Sequence, residues 1–386
     1  MKVCMAATTF PRWAGDGQGA FVWGLARALT RQGVTVVVIA LHSPGAAEHE
    51  TIEGIEIFRP RYWWREADEL LRKDGGGLPI TLRRYPLARV QLVPFFIGHM
   101  RAIAAVGRDA EIVHAHWTIS GGAAVWSRPV HRRPVIVTVQ GSDIFQVPNL
   151  PFGATYTRHV LGQCQRATTL TEALYRTAKR IGVDEHKLTV IPNGVDIHEF
   201  VPALTPKREK VILFVGFLIK RKGVAFLLDA AVKVIARHPD YRIVILGEGP
   251  EEGALREQTV RLGIEKAVRF LGFQPQAVVR DWMQRAQLFV LPSVEEGQGV
   301  VLLEALASGT PVIGSDVDGI TEVITPAVGR LFPAGNSAAL AEQVLELVED
   351  ETLRLQLGLA ARRRAETEYD WDRLALEYIT LYRQVL

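Results

Sequence analysis

Short β-rich apolar runs alternate with helical patterns along this chain, and the alternation starts over once, near the middle. Such a pattern marks parallel sheets joined by crossover helices. In the first half the strand-like runs are Val3–Ala7, Thr35–Ala40, Ile112–Ala115, Val135–Val139 and Leu188–Ile191. Helical patterns such as Phe21–Arg31 and Glu172–Ile181 lie between them. In the second half the runs are Val211–Val215, Arg242–Leu246, Ala267–Leu271, Leu288–Leu291 and Pro311–Gly314. A chain of 386 residues exceeds one ordinary core, so two α/β domains are expected. The polar, proline-bearing stretch from Ile197 to Lys210 reads as the linker between them. A helical pattern over Glu351–Glu368 is followed by Tyr369-Asp370-Trp371-Asp372 and a final helix to Leu386. An aromatic break of that kind suits a chain end that leaves its own domain and packs against the other.

Composition narrows the class. With 48% hydrophobic and 23% charged residues the chain is expected to be a soluble globular protein. Cys4 and Cys164 are too few for a disulfide framework or a four-ligand zinc site, which fits a reducing compartment. The start, Met1 to Ala7, reads as a strand rather than a signal peptide, and no apolar run approaches the length of a spanning helix. A cytoplasmic protein is therefore expected. Residues 1–192 carry 23 Lys/Arg against 15 Asp/Glu, whereas residues 193–386 carry 22 against 27. A basic first half suits either an anionic partner or a solvated Arg-rich exterior.

Residues 59–106 stand apart. Arg59, Arg61, Trp63, Trp64, Arg65, Arg72 and Lys73 precede a Gly75-Gly76-Gly77 hinge. Arg83, Arg84, Tyr85, Pro86 and Arg89 follow it, then the apolar run Leu92–Ile97. Cations interleaved with aromatic rings suit the inner face of an anionic membrane, and equally a loop covering a cleft. No nucleic-acid partner is expected.

The densest chemistry runs from Pro292 to Gly314 (PSVEEGQGVVLLEALASGTPVIG). An apolar strand ends at Leu291, at the carboxyl edge where open α/β sheets bind ligands. Gly297 and Gly299 let backbone amides approach a ligand, and a helix beginning near Val300 offers its N-terminus to phosphate. Glu296 in the loop and Glu304 in the helix can each accept hydrogen bonds from hydroxyls of a different sugar ring. A lone pair of glutamates would read as a cap and a solvated helix face. The strand, Gly-x-Gly turn, helix and closing Thr310-Pro311-Val312 strand together argue for a site.

This stretch resembles the E-x7-E motif of glycosyltransferase family 4 (glycosyl transferases group 1), retaining enzymes of the GT-B fold. The resemblance runs nearly end to end. Pro192-Asn193-Gly194-Val195-Asp196 is similar to that family's domain-joining segment. Leu246-Gly247-Glu248-Gly249-Pro250 and Phe270-Leu271-Gly272-Phe273 are similar to the strand ends that hold the nucleotide. Gly319-Ile320-Thr321-Glu322-Val323 matches the usual continuation. The resemblance implies that Glu296 and the amides of Gly297, Gln298, Gly299 and Val300 hold the donor sugar, and that Glu304 binds the ribose. Lys222, in Gly216-Phe217-Leu218-Ile219-Lys220-Arg221-Lys222-Gly223, matches the family's phosphate-binding lysine. A fixed cation there favours the departing diphosphate more than the bound one. Where the family often has an arginine, this chain has Phe217, and Lys220 or Arg221 are the candidates to replace it. Gln298 stands in place of a common aromatic, which makes the sugar pocket more polar.

In the first half, the segment from Phe10 to Val22, with Gly15, Gly17 and Gly19, resembles the family's glycine loop beside the donor diphosphate. Gly15, Gly17 and Ala20 also fit a dinucleotide fingerprint, but several residues separate them from the first strand and no carboxylate stands near Ile39–His42. Hydride transfer is therefore disfavoured. In His114-Ala115-His116-Trp117, His116 matches the active-site histidine that reaches the donor sugar, and His114 reads as structural. The two histidines lack a third ligand for a metal, and the family implies none; no cofactor is expected. Gln140, where the family often has histidine, and Asp143 follow another strand and could face the acceptor.

The expected architecture is α/β GT-B, two Rossmann-like doubly wound domains facing across a cleft. Residues 1–192 with the final helix 372–386 would form the acceptor side, and residues 193–371 the nucleotide-sugar side. The expected activity is retaining transfer of a sugar from a nucleotide-diphosphate-sugar to a hydroxyl, on a lipid-linked or cell-envelope glycan. A nucleotide-sugar epimerase and a non-catalytic nucleotide-sugar-binding protein are the alternatives.

Overall fold

A computed structural model describes every residue except 14, 73–77 and 204–207, with the backbone alone at 79, 80 and 83. Lys73 and the Gly75-Gly76-Gly77 hinge, and the Arg83 side chain, therefore lie outside the described residues. The chain divides into two compact units: Met1–Asn193 with Trp371–Leu386, and Gly194–Asp370.

The first unit is built on strands β1 (Lys2–Ala7), β2 (Thr35–Ala40), β3 (His49–Ile52), β4 (Ile55–Phe58), β5 (Ile112–His116), β6 (Val135–Val139), β7 (Arg166–Thr169) and β8 (Leu188–Val190). Their order is β3-β4-β2-β1-β5-β6-β7-β8, parallel except for the β3–β4 hairpin. The central strands β1, β2, β5 and β6 are Val/Ile/Ala-rich and almost wholly buried, as parallel strands covered on both faces must be. The second unit holds β9 (Glu209–Val215), β10 (Arg242–Leu246), β11 (Val268–Phe270), β12 (Ala286–Leu291), β13 (Val312–Ser315) and β14 (Gly329–Phe332), in the order β11-β10-β9-β12-β13-β14, all parallel. In both sheets the strand order reverses beside the first strand, the doubly wound topology whose switch point binds ligands.

Strands β3, β4, β7 and β14 were not apparent from the sequence. β3 sits at an edge with an exposed–intermediate alternation, and β7 (Arg-Ala-Thr-Thr) buries threonines that read as polar.

The described residues of the stretch read as a linker belong to the second unit. The Val195 amide bonds to the Tyr369 carbonyl at 2.8 Å, and Phe200 lies in the second core. Arg362 donates to the carbonyls of Phe200, Ala307 and Ile197, and Arg208 to those of Met283, Ala286, Ser308 and Gly309. Guanidinium groups satisfying helix-end carbonyls give polar sequence an interior function that composition does not reveal. The division instead falls between Asn193 and Gly194.

The closing helix Trp371–Arg383 joins the first unit, where Trp371, Leu374, Tyr378 and Tyr382 complete the core around helix Ala20–Arg31. Trp371 occupies the space a side chain at Gly24 would need, and Arg31 pairs with Asp372 at 2.7 Å. Truncating a buried Trp removes transfer free energy and leaves a cavity. Trp371→Ala should lower the stability of the first unit by about 3–5 kcal/mol, measured as a fall in its denaturant midpoint.

Candidate functional site

The C-terminal strand ends of the second sheet bring most of the expected donor residues together. β9 gives way at Gly216 to a loop and the single turn Lys220–Lys222. β12 runs into the loop from Pro292 to Gly299, then helix Val300–Ala307. These two loops are stitched by the Val294 amide on the Arg221 carbonyl at 2.8 Å. Gly223 has φ 67°, and a Cβ there would stand 2.0 Å from the Pro292 carbonyl oxygen, so the approach demands glycine.

The stitching places Lys222 in an ion pair with Glu296, both side chains mostly buried. The Gly297 amide and the Ser293 hydroxyl donate to the same carboxylate at 3.3 and 3.4 Å. Burial would raise the Glu296 pKa, but the Lys222 charge and hydrogen bond, with the nearby Arg221 charge, hold it below the usual carboxylate value. Arg221 itself contacts Glu295 at 3.2 Å, while Lys220 is exposed. Of the two cations considered as replacements for an arginine at Phe217, Arg221 is the one felt at Glu296.

Glu304 is buried in helix Val300–Ala307, and its Oε1 accepts from the Gln276 amide at 2.7 Å. Burial pushes its pKa up to about 7, against the opposing pull of Gln276. The helix begins behind Gly299, whose φ of 73° turns the chain into it, and Gln298 is buried just before it. Gly319 closes beneath the loop, where a Cβ would lie 2.5 Å from the carbonyl oxygens of Glu296 and Gly297. Gly216, Gly247 and Gly272 form a row at the ends of β9, β10 and β11, linked by Gly216 N to Leu246 O (2.9 Å) and Gly247 N to Gly272 O (2.8 Å). Phe273, next to that row, is half exposed.

In the first unit, His116 ends β5 and is buried, with Nδ1 3.2 Å from the Gln140 amide nitrogen. Burial lowers its pKa to about 3, so the ring is neutral. The next residue, Trp117, has φ 65°, a left-handed backbone uncommon for a large side chain and of the kind found at functional sites. His114 is structural: Tyr382 Oη and Thr138 Oγ1 each lie 2.7 Å from one of its ring nitrogens.

Asp143 does not present a free carboxylate. Its oxygens accept the amides of Gln140, Gly141 and Thr118 at 2.9, 3.0 and 3.1 Å. Burial outweighs those bonds and raises its pKa to about 6. It fixes the Gln140 loop and the start of the helix behind His116, which corrects the expectation that it faces an acceptor.

The glycine loop holding Gly17 and Gly19 is propped by two arginines expected on the surface. Arg72 donates to the Phe10 carbonyl at 2.8 Å and to Gln18 Oε1 at 2.6 Å, and Arg59 to the Pro11 carbonyl at 2.8 Å. Both are buried, which removes them from any membrane face. Asp16 pairs with Arg12 within the loop. After β2, where a dinucleotide fold needs a carboxylate, His42 is engaged by Glu69 at 2.5 Å. Sequence reading missed Gln276, Arg59 and Arg72 as site supports. Each lies far along the chain from what it holds, and nothing local marks it.

Both units are similar to known proteins. The family described as Glycosyltransferase Family 4 matches residues 15–199, and Glycosyl transferases group 1 matches residues 197–364. A phosphatidyl-myo-inositol mannosyltransferase of Mycobacterium leprae is 31% identical over 82% of this chain and 84% of its own. An uncharacterized glycosyltransferase of Methanocaldococcus jannaschii is 26% identical over 99% of this chain and 98% of its own. The structure of sucrose-phosphate synthase from Thermosynechococcus elongatus superposes with a TM-score of 0.80 at 20% identity, covering 100% of this chain and 98% of its own. That likeness shows the fold, two Rossmann-like units of the GT-B class.

Since Gln276 opposes the effect of burial on Glu304, Gln276→Ala should move the Glu304 titration upward from about 7. Carbon NMR of the side-chain carboxyl reads this directly; a midpoint near the usual glutamate value in the wild type would contradict the buried environment.

Proposed function

The chain belongs to glycosyltransferase family 4, and from that membership we propose that it moves a sugar from a nucleotide-diphosphate-sugar to a hydroxyl acceptor with retention and without a metal. The observation that carries the reading is the Lys222–Glu296 pair at the head of helix Val300–Ala307. A diphosphate leaving the sugar gains negative charge. Lys222, Arg221 and the N-terminus of that helix are the positive groups to which this reading assigns the developing charge. Glu296 and Gly297 to Gly299 hold the sugar hydroxyls, Glu304 the ribose hydroxyls, and Gly216, Gly247, Gly272 and Phe273 line the nucleotide. Gly17, Gly19 and His116 are the first-unit residues that the family resemblance assigns to the donor, and Gln140 acts through His116.

In this reaction the bond from the anomeric carbon to the diphosphate breaks while the acceptor oxygen bonds on the same face. The acceptor proton passes to the departing phosphate oxygen. The role of Glu296 as a sugar-holding group rather than a nucleophile is supported by its engagement with Lys222, Ser293 and Gly297. The fixed cations supply the charge neutralisation that a divalent ion would otherwise provide, so activity should survive a chelator.

A lipid-linked or cell-envelope glycan is the proposed acceptor, met at the inner face of an anionic membrane. Support comes from helix Pro86–Arg108, 23 residues long and apolar enough to cross a membrane by length and composition. Gln91, Phe95, His99 and Ile103 are buried in the first unit, which favours surface contact over crossing. Leu87, Val90, Val93 and Ile97 are exposed at three- and four-residue spacing, with Arg89 and Arg101 exposed beside them. Trp64 is 87% exposed. The similarity to a phosphatidyl-myo-inositol mannosyltransferase supports the same acceptor class.

Lys222→Ala and Glu296→Ala should each lower turnover by about 10²-fold or more; near-wild-type rates for both would remove this site from the chemistry. Product NMR should show the donor's anomeric configuration retained, and donor alone should not isomerise. Donor affinity should weaken as pH falls through about 7, because protonation of Glu304 removes its capacity to accept both ribose hydroxyls; a thermal-shift series against UDP-, GDP- and ADP-sugars at several pH values measures this. Replacing Val90 and Val93 together with aspartate should abolish sedimentation with anionic vesicles, and wild type should bind zwitterionic ones more weakly than anionic ones.

A further inference from the structure

Buried polar groups normally find partners, so a buried ring nitrogen without one calls for explanation. His116 presents such a nitrogen: its Nε2 is buried and has no hydrogen-bond partner among the described residues, while Nδ1 faces the Gln140 amide nitrogen at 3.2 Å. The orientation of that amide has a cause of its own. Gln140 Oε1 accepts from Asn193 Nδ2 at 3.4 Å, which leaves the Gln140 nitrogen, a donor only, turned toward His116. The Gln140 backbone is pinned at the same time by Asp143 Oδ1 at 2.9 Å. His114, whose ring centroid lies 4.5 Å away, has both nitrogens committed to Tyr382 and Thr138.

We propose that Gln140 is a positioning residue that fixes the His116 ring as its Nε2–H tautomer, a hydrogen-bond donor toward the donor sugar rather than a base. The inference rests on the reading of His116 as a donor-sugar contact and adds the direction of its hydrogen bond. A donating amide requires a bare Nδ1, so the single ring proton sits on Nε2. That proton is uncommitted among the described residues, and the reading of His116 as a donor-sugar contact gives it to a sugar hydroxyl oxygen. A His116 in this state has no lone pair on Nε2 with which to take the acceptor's proton, which agrees with that proton leaving on the phosphate. A carboxylate at position 140 would reverse the logic: it only accepts, and would draw the proton to Nδ1.

The test uses the full chain labelled with ¹⁵N-histidine, with His116→Gln to assign the ring signals. In the wild type, Nε2 should carry the proton and Nδ1 should be bare at every pH from about 6 to 9. Gln140→Glu should place a proton on Nδ1 and lower kcat by about 10²-fold with little change in donor KM. Gln140→Met, similar in length and unable to donate, should give mixed tautomers and an intermediate kcat. Protonated Nδ1 in the wild type would overturn the proposal. So would a Gln140→Glu variant whose ring proton moves while turnover stays at the wild-type level. The NMR arm needs no substrate, so it decides the tautomer even if the transfer reaction itself proves to be a different one.

Discussion

The ion pair between Lys222 and Glu296 is the interaction around which the second unit arranges its chemistry. Either charge alone, held that far from water, would carry a desolvation cost of several kcal/mol. Together they are tolerable, and their meeting depends on two loops whose backbones approach within the width of a glycine. Gly223 against Pro292, Val294 on Arg221, and Gly319 beneath Glu296 and Gly297 are all parts of one close packing. The site is therefore preorganised by backbone contacts, and its charges follow from them. Under the proposed function, the lysine that would meet a diphosphate is already oriented by its pairing with Glu296.

Contiguous features were legible in the sequence because their residues lie next to one another in the chain as well as in space. The glutamates at 296 and 304, the glycines between them and the helix behind them form one unbroken segment, and it follows the apolar run Leu288–Leu291. Features assembled across the chain were not legible. Gln276 meets Glu304 from another helix, and Arg72 meets Gln18 across 54 positions. Edge strands β3 and β14 have too little apolar alternation to announce themselves, and the supposed linker contains an arginine that five interior acceptors require.

Buried arginines also change how the charge balance is understood. The excess of cations in residues 1–192 suggested an anionic surface partner. Part of that excess is interior: Arg59 and Arg72 hold the carbonyls of the glycine loop, and their charge is spent on backbone oxygens and on Glu50. What remains outward near the apolar face of helix Pro86–Arg108 is a smaller set, Arg89 and Arg101 among it. A membrane contact built on that face would draw chiefly on exposed aliphatic area, with charge setting the choice of lipid. Its salt dependence should accordingly be modest compared with that of a polybasic patch.

Burial also divides the ionisable groups of the two units by task. His116 is held neutral, Glu304 titrates near 7, and Asp143 near 6 is consumed by backbone amides. None of these is a permanent charge placed to remove a proton. The fixed charges are instead Lys222, Arg221 and the carboxylate that Lys222 pairs with. Glu304 and Asp143 have the raised pKa that would suit a base, but backbone amides take up the Asp143 carboxylate, and the proposed function gives Glu304 to the ribose. A reaction in which the leaving group itself collects the proton asks of the protein only that it stabilise that leaving group and orient the sugar. Positive charge at the head of one helix and neutral donors elsewhere meet that demand.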